Sequence, residues 1–470
     1  MAVGAAALIA GGGLAARASV PVRIAGSDGH ATHPVWYHDA TAVQVGNRID
    51  LAWTTNQASV AGRTWGRVRG DWVQPVPTIF SSALLDCGCT DSTGTNPNRH
   101  DVPTLFADPA GRVYALYGGG TASKVGGQTG PYFNAAPAPD GGLPAASGET
   151  LLSIPGAAYD LEVARDRLGM NHIIGQQGAT PPGDPTGAGS LLYLRFLPGT
   201  SSAPGSFQQF GGQPYTTIVR GGFQTGACAW AAPPVAGCDI FVIGRITAGS
   251  SDPQQPATPN VLYIEWGWSE GSLSSPCGDP AGFCNHGLYV ARSSDGGTTW
   301  CAVAGAACTD VTASPIQYND PSYTVVSTTV DVGLFKALAV TGPYPGKPWV
   351  VWQPGADLGS GRIRVGRWTG SDWNTQTLDA SRAWNNHLVL RALQDRLYLW
   401  SDIAQTGSLR NDIYMWRRDP ATGRWTRASL TVGPNWFLTG RSVPGGEALV
   451  WRAPGGTGTT KVAFALLQPR

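Results

Sequence analysis

The feature that most constrains this chain is a short strand that keeps returning. In its clearest copy, Gly111-Arg112-Val113-Tyr114-Ala115-Leu116-Tyr117, residues 113, 115 and 117 share one face and 114 and 116 the other. That period of two is what a half-buried pleated strand requires. A tight turn precedes it, Asp108-Pro109-Ala110-Gly111, with proline where φ is already fixed and glycine where φ turns positive. Further copies begin at Gly46, Gly169, Gly237, Gly346, Gln394 and Gly445, each after a turn signal and an earlier apolar strand. A third strand usually follows, then a fourth that carries a tryptophan, as at Asp372-Trp373, Arg424-Trp425 and Thr299-Trp300. Four antiparallel strands repeated roughly every 50 to 65 residues predict an all-β fold, a seven-bladed β-propeller of four-stranded antiparallel blades. The last unit is one strand short. Val20-Pro21-Val22-Arg23-Ile24-Ala25 is expected to complete it beside Lys461 to Leu466, so that no open edge remains.

Composition agrees with many short strands. The chain has 64 glycines, 36 prolines and 18 tryptophans, and only 13% of its residues are charged. A net charge of +1 over 470 residues gives no electrostatic reason to expect nucleic acid as a partner. No stretch after the N-terminus approaches the ~20 apolar residues of a membrane span. Residues 1–18 are small and apolar and end in Ala16-Arg17-Ala18, which resembles the small-x-small site of an export leader. Residues 19–470 are then a single propeller domain, elaborated by a Pro/Ser/Gly-rich insertion from Thr247 to Pro259.

The eight cysteines fall in close pairs: Cys87/Cys89, Cys228/Cys238, Cys277/Cys284 and Cys301/Cys308. Local pairing of an even number points to disulfides in an oxidising compartment, secreted or periplasmic. Cys87-Gly88-Cys89 is the exception, because so short a ring is strained. No histidines stand in zinc-ligand spacing beside them. The sequence requires no cofactor and leaves room for Ca2+. His30, His33 and His38 cluster near the N-terminus with only Asp28 and Asp39 as nearby carboxylates.

Ser293-Ser294-Asp295-Gly296-Gly297-Thr298-Thr299-Trp300 matches the pattern S-x-D-x-G-x-T-W. Physically it is a hairpin turn in which Asp and Thr side chains bond the backbone and Trp packs beneath. This is the Asp-box, and it is architectural. With it the chain resembles the Asp-box (BNR-repeat) propeller proteins. More narrowly, it is similar to the propeller lyases acting on ulvan and related rhamnose-glucuronate polysaccharides. The narrower resemblance rests on Asn98-Arg99-His100-Asp101-Val102-Pro103 through Asp108-x-x-Gly111-Arg112 to Tyr117-Gly118-Gly119, and on Leu288-Tyr289-Val290-Ala291-Arg292 running into the turn.

In that family a His opening the second blade and a Tyr opening the third flank the uronate. A second His and an Arg complete the site. The resemblance carries over to His100 and Tyr159 as catalytic residues. The second His would fall near Gly120 and the Arg near Gly175 to Gln177, and neither is there. Arg99, Arg165, Arg195 and Arg220 are the candidate replacements, with His387, in the corresponding loop of the sixth unit, as a further substrate contact. β-Elimination needs a base near neutral pKa, a proton donor for the leaving oxygen, and charge to hold the carboxylate. His, Tyr and Arg supply these. The expected function is therefore a secreted, monomeric polysaccharide lyase acting on an acidic polysaccharide. Two alternatives stand beside it: a sialidase-like glycoside hydrolase, and a non-catalytic propeller whose tryptophans stack on sugars. His172 alternates with Ile173 inside a strand and is expected to be packed.

Overall fold

The computed structural model describes residues 17–18, 22–24, 40–69, 78–87, 103–117, 131–144, 150–178, 189–225, 237–271, 283–331, 336–354, 363–379, 388–404, 411–431, 436–454 and 460–468, less a few positions inside these ranges. The described strands form seven sheets, almost wholly antiparallel. The first is Ala40–Val45, Arg48–Gln57, Val60–Arg69 and Thr78–Cys87. The second is Thr104–Ala107, Val113–Tyr117, Tyr132–Ala135 and Thr150–Leu151. The third begins Ala158–Arg165, Asn171–Gln177, Leu191–Leu197 and Thr216–Arg220. The fifth and sixth run from Lys336–Thr341 to Trp373–Asp379 and from Leu388–Leu393 to Trp425–Thr431.

Ala40–Val45 touches Thr104–Ala107, which touches Ala158–Arg165, which touches Gly237–Ala248 of the fourth sheet; from there the contacts run to Lys336–Thr341, Leu388–Leu393 and Trp436–Val443, which touches Ala40–Val45 again. The sheets therefore close into a ring through these strands. The final sheet has three consecutive strands, Trp436–Val443, Gly446–Pro454 and Thr460–Gln468. Its outer position is filled from the other end of the chain, where Val22, Arg23 and Ile24 pair with Phe464, Ala463 and Val462. This is the pairing expected from the missing strand. Arg17 and Ala18 also pair, with Gln468 and Leu467.

The fourth repeat copy, Gly237 to Ile243, lies in Gly237–Ala248, which pairs with Gly222–Thr225 on one side and Leu262–Gly271 on the other. It is second in the order of its sheet, as its place in the repeat implied. The strand also touches Ala158–Arg165 and Lys336–Thr341 of the neighbouring sheets, and the Pro/Ser/Gly-rich insertion separates it from Leu262–Gly271.

The Asp108 turn explains why the repeat is so regular. Gly111 N–H donates to the Asp108 carbonyl at 3.0 Å, and Gly111 has φ +88°. The Asp108 carboxylate accepts from the Arg112 N–H at 3.0 Å and from the Tyr114 hydroxyl at 2.6 Å. The third sheet repeats the device with Asp166, Gly169 and Met170, and puts His172 where Tyr114 stood. Among the described residues no helix is long and apolar enough to cross a membrane.

Candidate functional site

His100, Arg99 and His387 lie outside the described residues. Tyr159 lies near the start of the Ala158–Arg165 strand and pairs with Gln176. The next pair is Glu162 with Ile174, so one extra residue is inserted on the Tyr159 side. Asp160, inside this bulge, has φ +53°, one of two non-glycine residues with positive φ among those described. A bulge re-aims the residues around it, and positive φ in a carboxylate residue stores strain that the surroundings must hold. The surroundings include Thr104, which opens the first strand of the second sheet and donates its hydroxyl to the Leu161 carbonyl at 2.8 Å. At the other end Asn171, which pairs with Arg165 from the adjacent strand, donates to the Ala107 carbonyl at 3.1 Å. The inner strands of the second and third sheets thus run side by side in one direction.

The register shows which candidates share an end. Tyr159 pairs with Gln176, Gln176 with Leu191, and Leu191 with Val219. Arg220 is exposed and follows Val219. Three strand spacings separate the ends of this row, about 14 Å. Arg195 is not on it. It pairs with His172, four residues further along its strand, and is only 9% exposed. Its guanidinium donates to the Gly296 carbonyl and to Gln208 Oε1 and lies 5.5 Å from the Phe210 ring. Arg195 therefore joins the third sheet to the Ser293–Trp300 turn rather than presenting a cation beside Tyr159. Arg165 is exposed but closes the strand that Tyr159 opens, on the rim of a cavity of about 310 Å3 at the opposite end.

Sequence reasoning missed a buried set of charges next to the bulge. Glu162 accepts from Arg245, whose Nε also donates to the Lys336 carbonyl at 3.4 Å. Glu265 stands opposite Arg245 on the neighbouring strand and is fully buried. Its two carboxylate oxygens have no hydrogen-bond partner among the described residues. Burial pushes its pKa up to about 8, while Lys336 and Arg245 pull it down and Glu162 adds to the rise. A β-carbon on Gly267 would fall 2.7 Å from Lys336 Nζ, so glycine there makes room for the ammonium. The signal was present: Glu265 interrupts the run Tyr263-Ile264-Glu265-Trp266, where a buried strand wants apolar residues. This arrangement can hold a proton near neutral pH, out of reach of solvent.

A second set looks catalytic and is structural. Asp166, His172 and Tyr193 form a chain, with His172 Nε2 at 3.1 Å from the carboxylate and Nδ1 at 2.6 Å from the hydroxyl. His172 is fully buried, as its place in a strand implied, and burial lowers its pKa. Tyr193 donates onward to the Gly296 carbonyl at 2.7 Å, and burial raises its pKa to about 12. The chain ends in the Ser293–Trp300 turn. There Asp295 accepts from the Thr298 and Thr299 N–H groups at 3.1 and 2.9 Å, and Trp300 donates to the Gly297 carbonyl at 3.1 Å. Beside it, Cys301 and Cys308 form a cross-strand disulfide. Cys238 and Cys284 lie on strands of the fourth sheet, and their expected partners Cys228 and Cys277 lie outside the described residues. Among the described residues no group of three His, Cys, Asp or Glu could hold a metal ion.

No family model matches this chain, and no curated protein matches it by sequence. Solved structures do match. One is a polysaccharide lyase of the PL25 ulvan lyase family, with a TM-score of 0.63 at 10% identity, covering 93% of this chain and 94% of that one. The same kind of enzyme bound to GlcA(1-4)Rha3S matches with a TM-score of 0.63 at 10% identity over 95% and 96% of the two chains. The polysaccharide lyase Uly1 matches with a TM-score of 0.59 at 9% identity over 94% and 92%. The similarity is one of fold, an all-β propeller-type architecture.

Proposed function

We propose that this protein is an exported, seven-bladed propeller lyase that cleaves an acidic, uronate-containing polysaccharide by β-elimination. Each sheet of the ring is one blade. The observation that carries the reading is the bulge at Tyr159 and Asp160, a strained element at the head of an inner strand. The likeness in fold to ulvan lyases supports it, and the Cys301–Cys308 disulfide supports export.

In this reading His100 takes the proton from the uronate carbon beside the carboxylate. Those electrons form the ring double bond, the bond to the 4-oxygen breaks, and Tyr159 protonates the departing oxygen. Arg220, on the same row of the third sheet, contacts an anionic group further along the chain.

The test is absorbance near 235 nm on mixing with glucuronate-containing polymers, because elimination creates an unsaturated uronate. Tyr159→Phe is expected to lower kcat about 10²–10⁴-fold, the range for losing a proton-transfer group. Arg220→Ala is expected to raise KM and leave kcat largely unchanged. New reducing ends without the absorbance would replace this reading with hydrolysis.

A further inference from the structure

The chain is nearly neutral, but its charge is not evenly spread. Thirteen of the 32 Lys and Arg residues fall between residues 336 and 431, against seven of the 31 Asp and Glu. The fifth and sixth sheets therefore carry a clear positive excess and the rest of the chain a negative one. A sign asymmetry of this kind creates a local field that the net charge hides.

The structure gathers part of that excess around one indole. Arg367 and Arg418 lie 5.2 and 4.8 Å from the Trp349 ring, one from the fifth sheet and one from the sixth. Burial and the nearby Arg367 charge both pull Arg418 below the usual guanidinium range. Arg396 and Arg417 are close enough to lower the pKa of Asp419, after the hydrogen bonds from the Thr422 and Ala421 N–H groups. Asp419 thus stands near Arg396, Arg417 and Arg418, and its carboxylate is already bound to its own turn. Lys347 and Arg424 flank the group and are exposed. Like charges brought this close cost free energy unless an anion joins them. Trp349 is buried in the core between the two sheets, so its indole fixes the guanidinium groups in place and leaves the contact with a ligand to their charge.

These residues sit where the second strands of their sheets begin or the third strands end. That is the end of the ring to which Arg165 belongs, opposite the Tyr159 row. We propose that this face, formed by Arg367, Arg396, Arg417 and Arg418 around Trp349, binds a polyanionic polysaccharide and anchors the protein to it. The inference goes beyond the elimination reading and does not depend on it, since the contact is ionic and needs no chemistry.

Binding of the full chain is measured against chondroitin sulfate, neutral dextran and duplex DNA at 50 and 300 mM NaCl. Chondroitin sulfate is expected to bind at low salt, to weaken steeply at high salt, and to outcompete both dextran and DNA. Arg367→Gln/Arg418→Gln is expected to weaken it at least tenfold. Lys347→Gln/Arg424→Gln changes only exposed positions and is expected to weaken it several-fold with an unaltered melting curve. Tyr159→Phe is expected to bind like the wild type, which separates this face from the proposed catalytic end. Wild-type affinity in both double variants, equal binding of neutral dextran, or tighter binding of DNA would each overturn the proposal.

Discussion

Glu265 and His286 show how burial sets the pH response of this protein. The Glu265 pKa rises from an ordinary 4.5 to about 8, first through burial. The folded state then keeps a proton that the unfolded chain releases between those values. The stability tied to this proton is full below pH 4.5 and is lost as pH rises through 8. Glu265→Gln mimics the protonated carboxyl, so its urea midpoint is expected to match the wild type at pH 5 and exceed it at pH 8.5. His286 has the opposite sign. It is 2% exposed, packs 4.4 Å from the Trp268 ring, and burial lowers its pKa from 6.5 to about 4. Its contribution is full above pH 6.5 and is lost as pH falls toward 4. His286→Gln is expected to flatten the acid side of the same urea series. A wild-type slope in that variant would mean that His286 is not the group responsible.

At the scale of the element, the Ser293–Trp300 turn is the best test of how the sheets are joined. Trp300 is fully buried and meets Tyr193 edge to face at 6.1 Å, across two sheets. Trp300→Ala is expected to cost about 3–5 kcal/mol in chemical unfolding, the range for deleting a large buried aromatic. Asp295 is held differently. Burial opposes its charge, but hydrogen bonds from Thr299, Ser293 and Thr298 outweigh that and keep its pKa below the usual range. This turn was legible in the sequence because each residue has a local reason to be where it is. The same holds for the Asp108 turn and its echo at Asp166. What was not legible is contact between distant segments. Arg195 looked like a free cation because nothing in its strand says that Gly296, a hundred residues on, will accept from it. In the set of Glu162, Arg245, Glu265 and Lys336 only Glu265 left a mark in the sequence; that the other three gather beside it was hidden for the same reason.

At the scale of the whole molecule, the all-β class and the closing strand were readable because they depend on alternation and on a strand that the last unit lacks. The candidate site was readable only in part. Tyr159 stands out by resemblance, whereas the bulge that follows it depends on the pairing of two strands. Deleting residues 1–24 removes the strands that pair with Thr460–Gln468 and leaves that edge open. The melting temperature is expected to fall by at least about 5 °C and the protein to self-associate. A deletion variant that melts with the wild type and stays monodisperse would show that this seam is dispensable.

The same seam carries a consequence for synthesis. Ile24 pairs with Val462, so this strand finds its partner only after every sheet between them has been made. The early sheets must wait on the ribosome with the seam unsealed, and their exposed edges must be kept from other nascent chains. The slow step in refolding is then expected to be the meeting of these two distant segments, and a disulfide engineered between the paired strands should speed it.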